Sequence, residues 1–353
     1  MKKSTKKGWK IVGIVFCVVI LLLAIACGMV FGGVFTHKPG GQDAACKVLQ
    51  ITDVHILNNA KKDQKAFRTI TQMIEASRPD IIVVTGDITS EDENMRAFRT
   101  FGEFMESFKI PWGFVYGNHD AETRRTHTKT QLSEYLESLE YCFFDRGPED
   151  VDGEGNYYYN VTDDSGKIIM SLMMMDSNMY YRDPVTGQDD GYDCFHENQI
   201  AWYEKTIKSI AQNVNGDENQ VVPSLAFFHI PMREYLTGYE TAKKNGAILD
   251  GAKLEAVYCS NHDDEMFETM KRLGSTKGCF AGHDHMNNYT VDYQGIRLAY
   301  GYSCDHNIYL VPQKGGKLIY IYPDGSFTQQ GIYRYLGLET YAMVRNFDDV
   351  YNV

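Results

Sequence analysis

The sequence predicts an α/β fold that begins β-α-β-α-β. Three observations carry this. Short apolar runs at residues 47–51, 81–84 and 111–116 have strand length, and the second is apolar on both faces, as in a parallel strand. The stretches between them, 63–77 and 93–108, space their apolar residues as one helix face does, with Phe67, Ile70, Met73 and Ile74 in the first. Each apolar run ends in a small polar cluster, and that edge of an α/β sheet is where sites are built.

The first strand ends at Asp53-Val54-His55, the second at Gly86-Asp87 and the third at Gly117-Asn118-His119-Asp120. Glycine permits the sharp turn at the second and third tips. Arg78-Pro79 stops the first helix. Further on, 130–140 reads as a helix. Residues 157–161 and 168–175 read as a hairpin about Asp163-Asp164-Ser165-Gly166, with a methionine run that belongs to strand core. Residues 177–194, polar and rich in tyrosine, read as a surface loop over the site. A helix at 197–210 precedes a strand at 224–228 that delivers His229. Residues 233–261 look irregular, a second lid. A helix at 263–273 and a strand at 277–281 lead into Gly282-His283-Asp284-His285, followed by strands near 288–293, 296–300, 308–311 and 317–322.

The N-terminus is a separate object. Residues 1–10 hold Lys2, Lys3, Lys6, Lys7 and Lys10 and no acid, and residues 11–35 hold no charge. About 20 apolar residues cross a bilayer as a helix, and flanking lysines keep their end cytoplasmic. The expected organisation is a basic cytoplasmic tail at 1–10 and a single-pass transmembrane anchor at 11–35. A linker at 36–46 then leads to a domain at 47–325 outside the cytoplasm, with an extension at 326–353 that has no clear pattern. A cleaved or lipidated signal sequence ending near Cys27 is the rival reading.

Composition narrows the function. A chain of 353 residues with 43% hydrophobic content supports a globular core of one large or two small domains. The formal net charge of -12 argues against nucleic-acid binding. It leaves a phosphate substrate open, because bound cations reverse the local field. The cysteines are scattered without a C-x-x-C pair, and their pairing is not readable.

Seven donors recur at the strand tips: Asp53, His55, Asp87, Asn118, His229, His283 and His285. Carboxylate, imidazole and amide oxygen suit borderline divalent cations such as Mn, Fe or Zn. Seven is too many for one zinc, which takes four, and fits two metals bridged by a carboxylate. His127, His196, His262 and His306 lack the strand-then-turn setting and read as ordinary histidines. Arg124 and Arg125 either hold a second phosphate or form a solvated pair at a helix start. Asn160-Val161-Thr162 and Asn288-Tyr289-Thr290 match the glycosylation pattern.

The ordered set D-x-H, G-D, G-N-H-D, H and G-H-x-H resembles the calcineurin-like metallophosphoesterase superfamily, over roughly residues 48–322. The flanks of His229 and His283 look most like plant purple-acid-phosphatase-like proteins and fungal relatives. The tyrosine ligand of true purple acid phosphatases has no counterpart after Asp87, where Ile88-Thr89-Ser90-Glu91 follows, so no metal identity carries over. The resemblance implies a sandwich of two mixed sheets flanked by helices. It implies that Asp53, His55 and His285 bind one metal, that Asn118, His229 and His283 bind the other, and that Asp87 bridges them. It further implies that His119 acts on the phosphoryl group or leaving oxygen, that Asp120 hydrogen-bonds His119, and that a hydroxide between the cations attacks phosphorus. The expected activity is hydrolysis of phosphate mono- or diesters. The alternative is a tethered sensing module that keeps its metals without turnover. Substrate and oligomeric state are not encoded in any motif.

Overall fold

The computed structural model describes residues 35–37, 44–122, 125–308, 313–335 and 342–344. The predicted anchor up to Val34, Arg124 and most of the strand expected at 308–311 lie outside the described residues. Among the described residues no helix is long and apolar enough to cross a membrane.

Two large mixed sheets face each other. In chain order the elements are β1 (Phe35–His37), β2 (Cys46–Ile51), α1 (Ala60–Ser77), β3 (Ile81–Thr85), α2 (Asn94–Glu106), β4 (Trp112–Val115) and α3 (Lys129–Glu137). There follow β5 (Tyr157–Thr162), β6 (Ile168–Met174), β7 (Tyr180–Arg182), β8 (Asp189–Tyr192), α4 (Glu197–Asn215), β9 (Ser224–Phe227), α5 (Glu234–Asn245) and β10 (Ile248–Asp250). The chain continues through α6 (Met266–Leu273), β11 (Thr276–Ala281), β12 (Thr290–Tyr293), β13 (Ile296–Tyr300), β14 (Gln313–Ile321), β15 (Phe327–Tyr335) and β16 (Ala342–Val344). One sheet runs β16-β15-β14-β2-β3-β4 and the other β1-β5-β6-β9-β11-β13-β12-β10. Strands β2, β3 and β4 are mutually parallel, as are β6, β9, β11 and β13.

The alternation of side chains along the second sheet explains its burial on both faces. Met170, Leu172, Met174, Leu225, Phe227 and Phe280 point into the layer between the sheets. Their neighbours Met173, Met175, Ala226, Phe228, Cys279 and Ala281 point the other way, onto a second core that includes Tyr203, Ile207, Met266 and Met270 of α4 and α6. The methionine run is therefore strand core on two faces. Across the first sheet, Ile70 and Met73 of α1 and Phe98 and Phe101 of α2 close the outer layer. α1 stops at Arg78, whose backbone is left-handed at φ 47° and whose N–H donates to Ile74 O.

Several expectations are corrected. Residues 234–245 are helix α5, where an irregular lid was expected. Gly238 and Thr237 weaken the sequence signal, but Gly238 lets the helix sit close: a Cβ there would lie 3.1 Å from Tyr293 Cβ. The loop at 177–194 contains the ribbon β7–β8. Phe327–Tyr335 pairs along the whole of β14, within the stretch set apart as an extension. β1 pairs with β5 where the end of the anchor and a linker were expected. Both glycosylation patterns are structural. Asn160 is buried and accepts from Ser171 Oγ at 2.8 Å, and buried Asn288 bonds Gln313 and the Ala252 N–H. The six cysteines among the described residues are free thiols.

Because Leu172 is fully buried between the sheets, Leu172→Ala should lower stability by about 2–5 kcal/mol. Val185→Ala, 92% exposed on the ribbon loop, should change it by less than about 0.5 kcal/mol. Urea denaturation midpoints of the two variants check both.

Candidate metal centre

The carboxyl ends of the parallel strands of both sheets meet at one edge. Thr52, just past β2, forms a parallel bridge with Ser303, past β13. Gln50 Nε2 donates to Ala281 O and to Thr85 Oγ1, both at 3.0 Å. His229 Nδ1 donates to Thr85 O at 2.7 Å, which joins the tip after β9 to the end of β3. Glycine makes this approach possible. A Cβ on Gly117 would lie 2.2 Å from Asp87 Oδ1, and one on Gly282 would lie 2.0 Å from Thr52 Oγ1.

Asp53, His55, Asp87 and His285 each place one donor atom within 4.8 Å of the others, and Asp87, His229 and His283 form a second such group. Asp87 belongs to both. Asp53, His55, Asp87 and His283 all hold left-handed backbone, with φ of 51°, 47°, 55° and 75°. Non-glycine residues rarely adopt it, at a cost of order 1–3 kcal/mol each. Backbone bonds hold the turns: Asp53 N donates to Gly86 O at 3.1 Å, and Val54 N and His55 N donate to Asp87 O.

The donor atoms are aimed at something other than protein. His55 Nε2 and His285 Nε2 face each other at 3.1 Å. His55 Nδ1 is 2.5 Å from Ser90 Oγ, while His285 Nδ1 lies 3.5 Å from Ser303 Oγ and 3.7 Å from Asp305 Oδ2. The outer nitrogens are thus engaged and the inner ones converge, as in metal-ligating histidines. Asn118 Oδ1 is buried with no hydrogen-bond partner, and Asp87 Oδ2 and His229 Nε2, equally buried, face each other at 3.1 Å. The orphaned Asn118 oxygen carries a desolvation penalty that a bound cation would remove, and a cation would displace the proton that Asp87 and His229 otherwise share. The donor set therefore fits two divalent cations, one between Asp53, His55, Asp87 and His285, the other between Asp87, Asn118, His229 and His283.

Electrostatics follow. Burial and the neighbouring His285 push the His55 imidazole down to about 3. Burial and His229 hold His283 well below its ordinary value. Burial also opposes charge on His229, but the Asp87 carboxylate overrides it and raises the imidazole to about 10. Burial likewise opposes charge on Asp87, yet His229 keeps its carboxyl well below the usual range.

His119 stands at the mouth, 38% exposed. Its N–H donates to Asp87 Oδ1 at 2.9 Å, and its Nδ1 lies 3.0 Å from Glu122 Oε1. Burial lowers its pKa, but the bond to Glu122 and the charge of Asp87 carry it above the ordinary value. Asp120 was expected to bond His119, and it does something else. Its two oxygens accept the N–H groups of Gly117, Asp87, Ile88 and Thr89 at 2.8–3.3 Å. The turn folds the Asp120 side chain back under the loop, and Glu122, three residues after His119, takes the expected contact.

Arg125 is not free for substrate. It bonds Asp92, Glu122 and the His119 carbonyl, and its side chain is 4% exposed. Other residues had no motif to announce them. Tyr180 OH donates to Glu122 Oε1 at 2.8 Å and accepts from Asn118 Nδ2 at 3.1 Å. The Tyr192 ring stands edge-on to His283 with centroids 4.4 Å apart. Glu122 had one legible signal, its His-x-x-Glu spacing across the turn.

Two expectations follow. A proton and a cation compete for His229 Nε2. With its pKa raised to about 10 by Asp87, the metal-free imidazole is protonated at pH 7, so loading at pH 7 should expel a proton and affinity should rise with pH. Titration calorimetry with Mn(II) in two buffers of different ionisation enthalpy reads this directly. Gly117→Ala, which drives a methyl into Asp87, should abolish tight Mn binding and cost about 1–3 kcal/mol of stability.

A chain 29% identical over 293 residues is the Arabidopsis thaliana protein named "Probable inactive purple acid phosphatase 29", with 74% of this chain and 72% of that one covered. "Phosphatase DCR2" of Saccharomyces cerevisiae is 30% identical over 273 residues, covering 69% of this chain and 45% of its own length. A crystal structure of a dimetal phosphatase from Danio rerio has the same fold, with a TM-score of 0.54 at 14% identity, and covers 86% of this chain and 99% of that one. The family model for calcineurin-like phosphoesterases matches residues 46–287, most of the chain and the span in which the seven donors lie, and the chain belongs to that family.

Proposed function

We propose that the chain is a metal-dependent phosphoric ester hydrolase acting on mono- or diesters outside the cytoplasm, tethered by residues 11–35. One observation carries the reading. Asp53, His55, Asp87 and His285, and Asp87, His229 and His283, converge their donor atoms in two groups, beside a buried Asn118 Oδ1 with no hydrogen-bond partner. Family membership supplies the reaction class. Two divalent cations would contribute positive charge for the phosphoryl oxygens and bring the acidity of water towards neutrality.

The chain's own residues do the rest. Asp53, His55 and His285 would hold one cation and Asn118, His229 and His283 the other, with Asp87 shared. His119 does not enter either group. With Nδ1 held by Glu122, its Nε2 is the nitrogen left to give a proton to the leaving oxygen as the P–O bond breaks. Asp120 fixes the two loops against each other. The tether rests on the uncharged run at 11–35 and the lysines before it.

The second reading, a metal-holding module without turnover, is favoured by the word "inactive" in the names of the Arabidopsis relatives. The relative named a phosphatase favours turnover. Detergent-solubilised full chain, loaded with Mn and given aryl mono- and diesters, separates them: two bound metals with no hydrolysis supports the module. His119→Ala should keep both metals and lose about 100-fold or more in kcat. Undiminished turnover in that variant removes His119 from the chemistry.

A further inference from the structure

We propose that Glu122 and Tyr180 are positioning residues, and that one carboxylate oxygen, Glu122 Oε1, sets both the proton-bearing nitrogen of His119 and the orientation of the Asn118 amide. The His119 half rests on the hydrolase reading; the Asn118 half does not. Glu122 Oε1 meets His119 Nδ1 at 3.0 Å and accepts from Tyr180 OH at 2.8 Å. Its other oxygen accepts from Arg125 Nη2 at 2.6 Å. Arg125 is itself held by Asp92 Oδ1 at 3.0 Å and by the carbonyl of His119 at 3.1 Å. Both oxygens are engaged, so the carboxylate cannot swing, and the ring of His119 is held from both its backbone and its side chain.

The hydroxyl of Tyr180 has one proton, and Glu122 takes it. The oxygen lone pairs that remain can only accept, and Asn118 Nδ2 donates into them at 3.1 Å. An amide so engaged must turn its oxygen the other way. That oxygen, Asn118 Oδ1, is the buried atom with no hydrogen-bond partner. Among the described residues, the Tyr180 hydroxyl is the partner on the Nδ2 side that distinguishes the two flips of the amide. Glu122 therefore acts on Asn118 through Tyr180, and on His119 directly.

Tyr180 comes from outside the two sheets, on the ribbon β7–β8. Two-stranded ribbons are marginal alone, and this one is anchored elsewhere too. The Tyr181 ring lies 3.7 Å from that of His262, and Asp190 Oδ2 is 3.2 Å from His262 Nε2. Removing one hydroxyl at Tyr180 leaves those anchors in place. Tyr181→Phe, on the same strand, serves as the control.

The test uses the solubilised full chain and two readouts. In Mn(II) calorimetry, Tyr180→Phe should weaken one of two binding steps by about 10-fold or more, the size expected when a partner behind a ligand is lost, while Tyr181→Phe changes neither. At saturating Mn, Glu122→Gln should lower kcat for an alkyl phosphate by about 10-fold or more with little change in KM. For 2,4-dinitrophenyl phosphate, whose leaving group needs no proton, kcat should fall less than about 3-fold. Wild-type Mn binding in Tyr180→Phe overturns the Asn118 half. Equal losses on the two esters in Glu122→Gln overturn the His119 half. Should the wild type hydrolyse neither ester, the hydrolase reading and the His119 half fall together, and the calorimetry still decides the Asn118 half.

Discussion

The bond from His229 Nδ1 to Thr85 O, 2.7 Å long and buried, is where fold and site become one problem. It ties the sheet containing β9 to the sheet containing β3. It also assigns the two ring nitrogens, because an Nδ1–H given to a carbonyl leaves Nε2, 3.1 Å from Asp87 Oδ2, as the atom for which proton and cation compete. The bond requires the two strand ends to touch, and that requires Gly86: a Cβ there would lie 2.5 Å from His229 Nδ1 and 2.7 Å from the Gly117 backbone. The glycine of the G-D pair is thus a spacing requirement between sheets before it is a turn residue.

The edge so formed breaks local rules that the rest of the chain keeps. Four clustered donors sit in left-handed backbone, and the buried Asn118 Oδ1 lacks a hydrogen bond. Each such feature is unfavourable by one to a few kcal/mol, and they lie together. The Asp120 carboxylate makes this sustainable. By accepting four backbone N–H groups from two loops, it leaves Asp87 no freedom to relax outward. Rigid strand ends and a loop clamp hold the donors against one another, and a cation would relieve what the clamp maintains.

What was legible in the sequence follows from the range of the forces involved. Strands β2, β3 and β4 and helices α1 and α2 are written in local periodicity, and donor tips end those strands, with a glycine before the donor after β3 and β4. Helix α5 was not legible, because Gly238 weakens local propensity and only its close seat on Tyr293 compensates. β15 was missed because its polar stretch Thr328-Gln329-Gln330 is stabilised by pairing with β14, a tertiary effect. The direction of Asp120 was not legible either. Adjacent residues in a turn can point either way, and three N–H groups of the neighbouring loop with one of its own turn decide it. Tyr180 could be read only as part of a tyrosine-rich loop, since its partners are 58 and 62 residues away in sequence.

Charge completes the synthesis. The donor set carries two carboxylates, Asp53 and Asp87, among four histidines and an amide, within a chain of formal charge -12. Two divalent cations would outweigh those two carboxylates, so the pocket would be locally positive inside a negative surface. Such attraction is short-ranged, since screening removes interactions beyond about 8 Å at physiological ionic strength. A phosphoryl group would be drawn in only once it is nearly in place, so discrimination must rest on shape and hydrogen bonding at the mouth. The side chains there are His119, Tyr180, Tyr192 and Glu122, and three of these four belong to the positioning network that bears on His119 and Asn118. Entry and orientation are therefore governed by the same few groups.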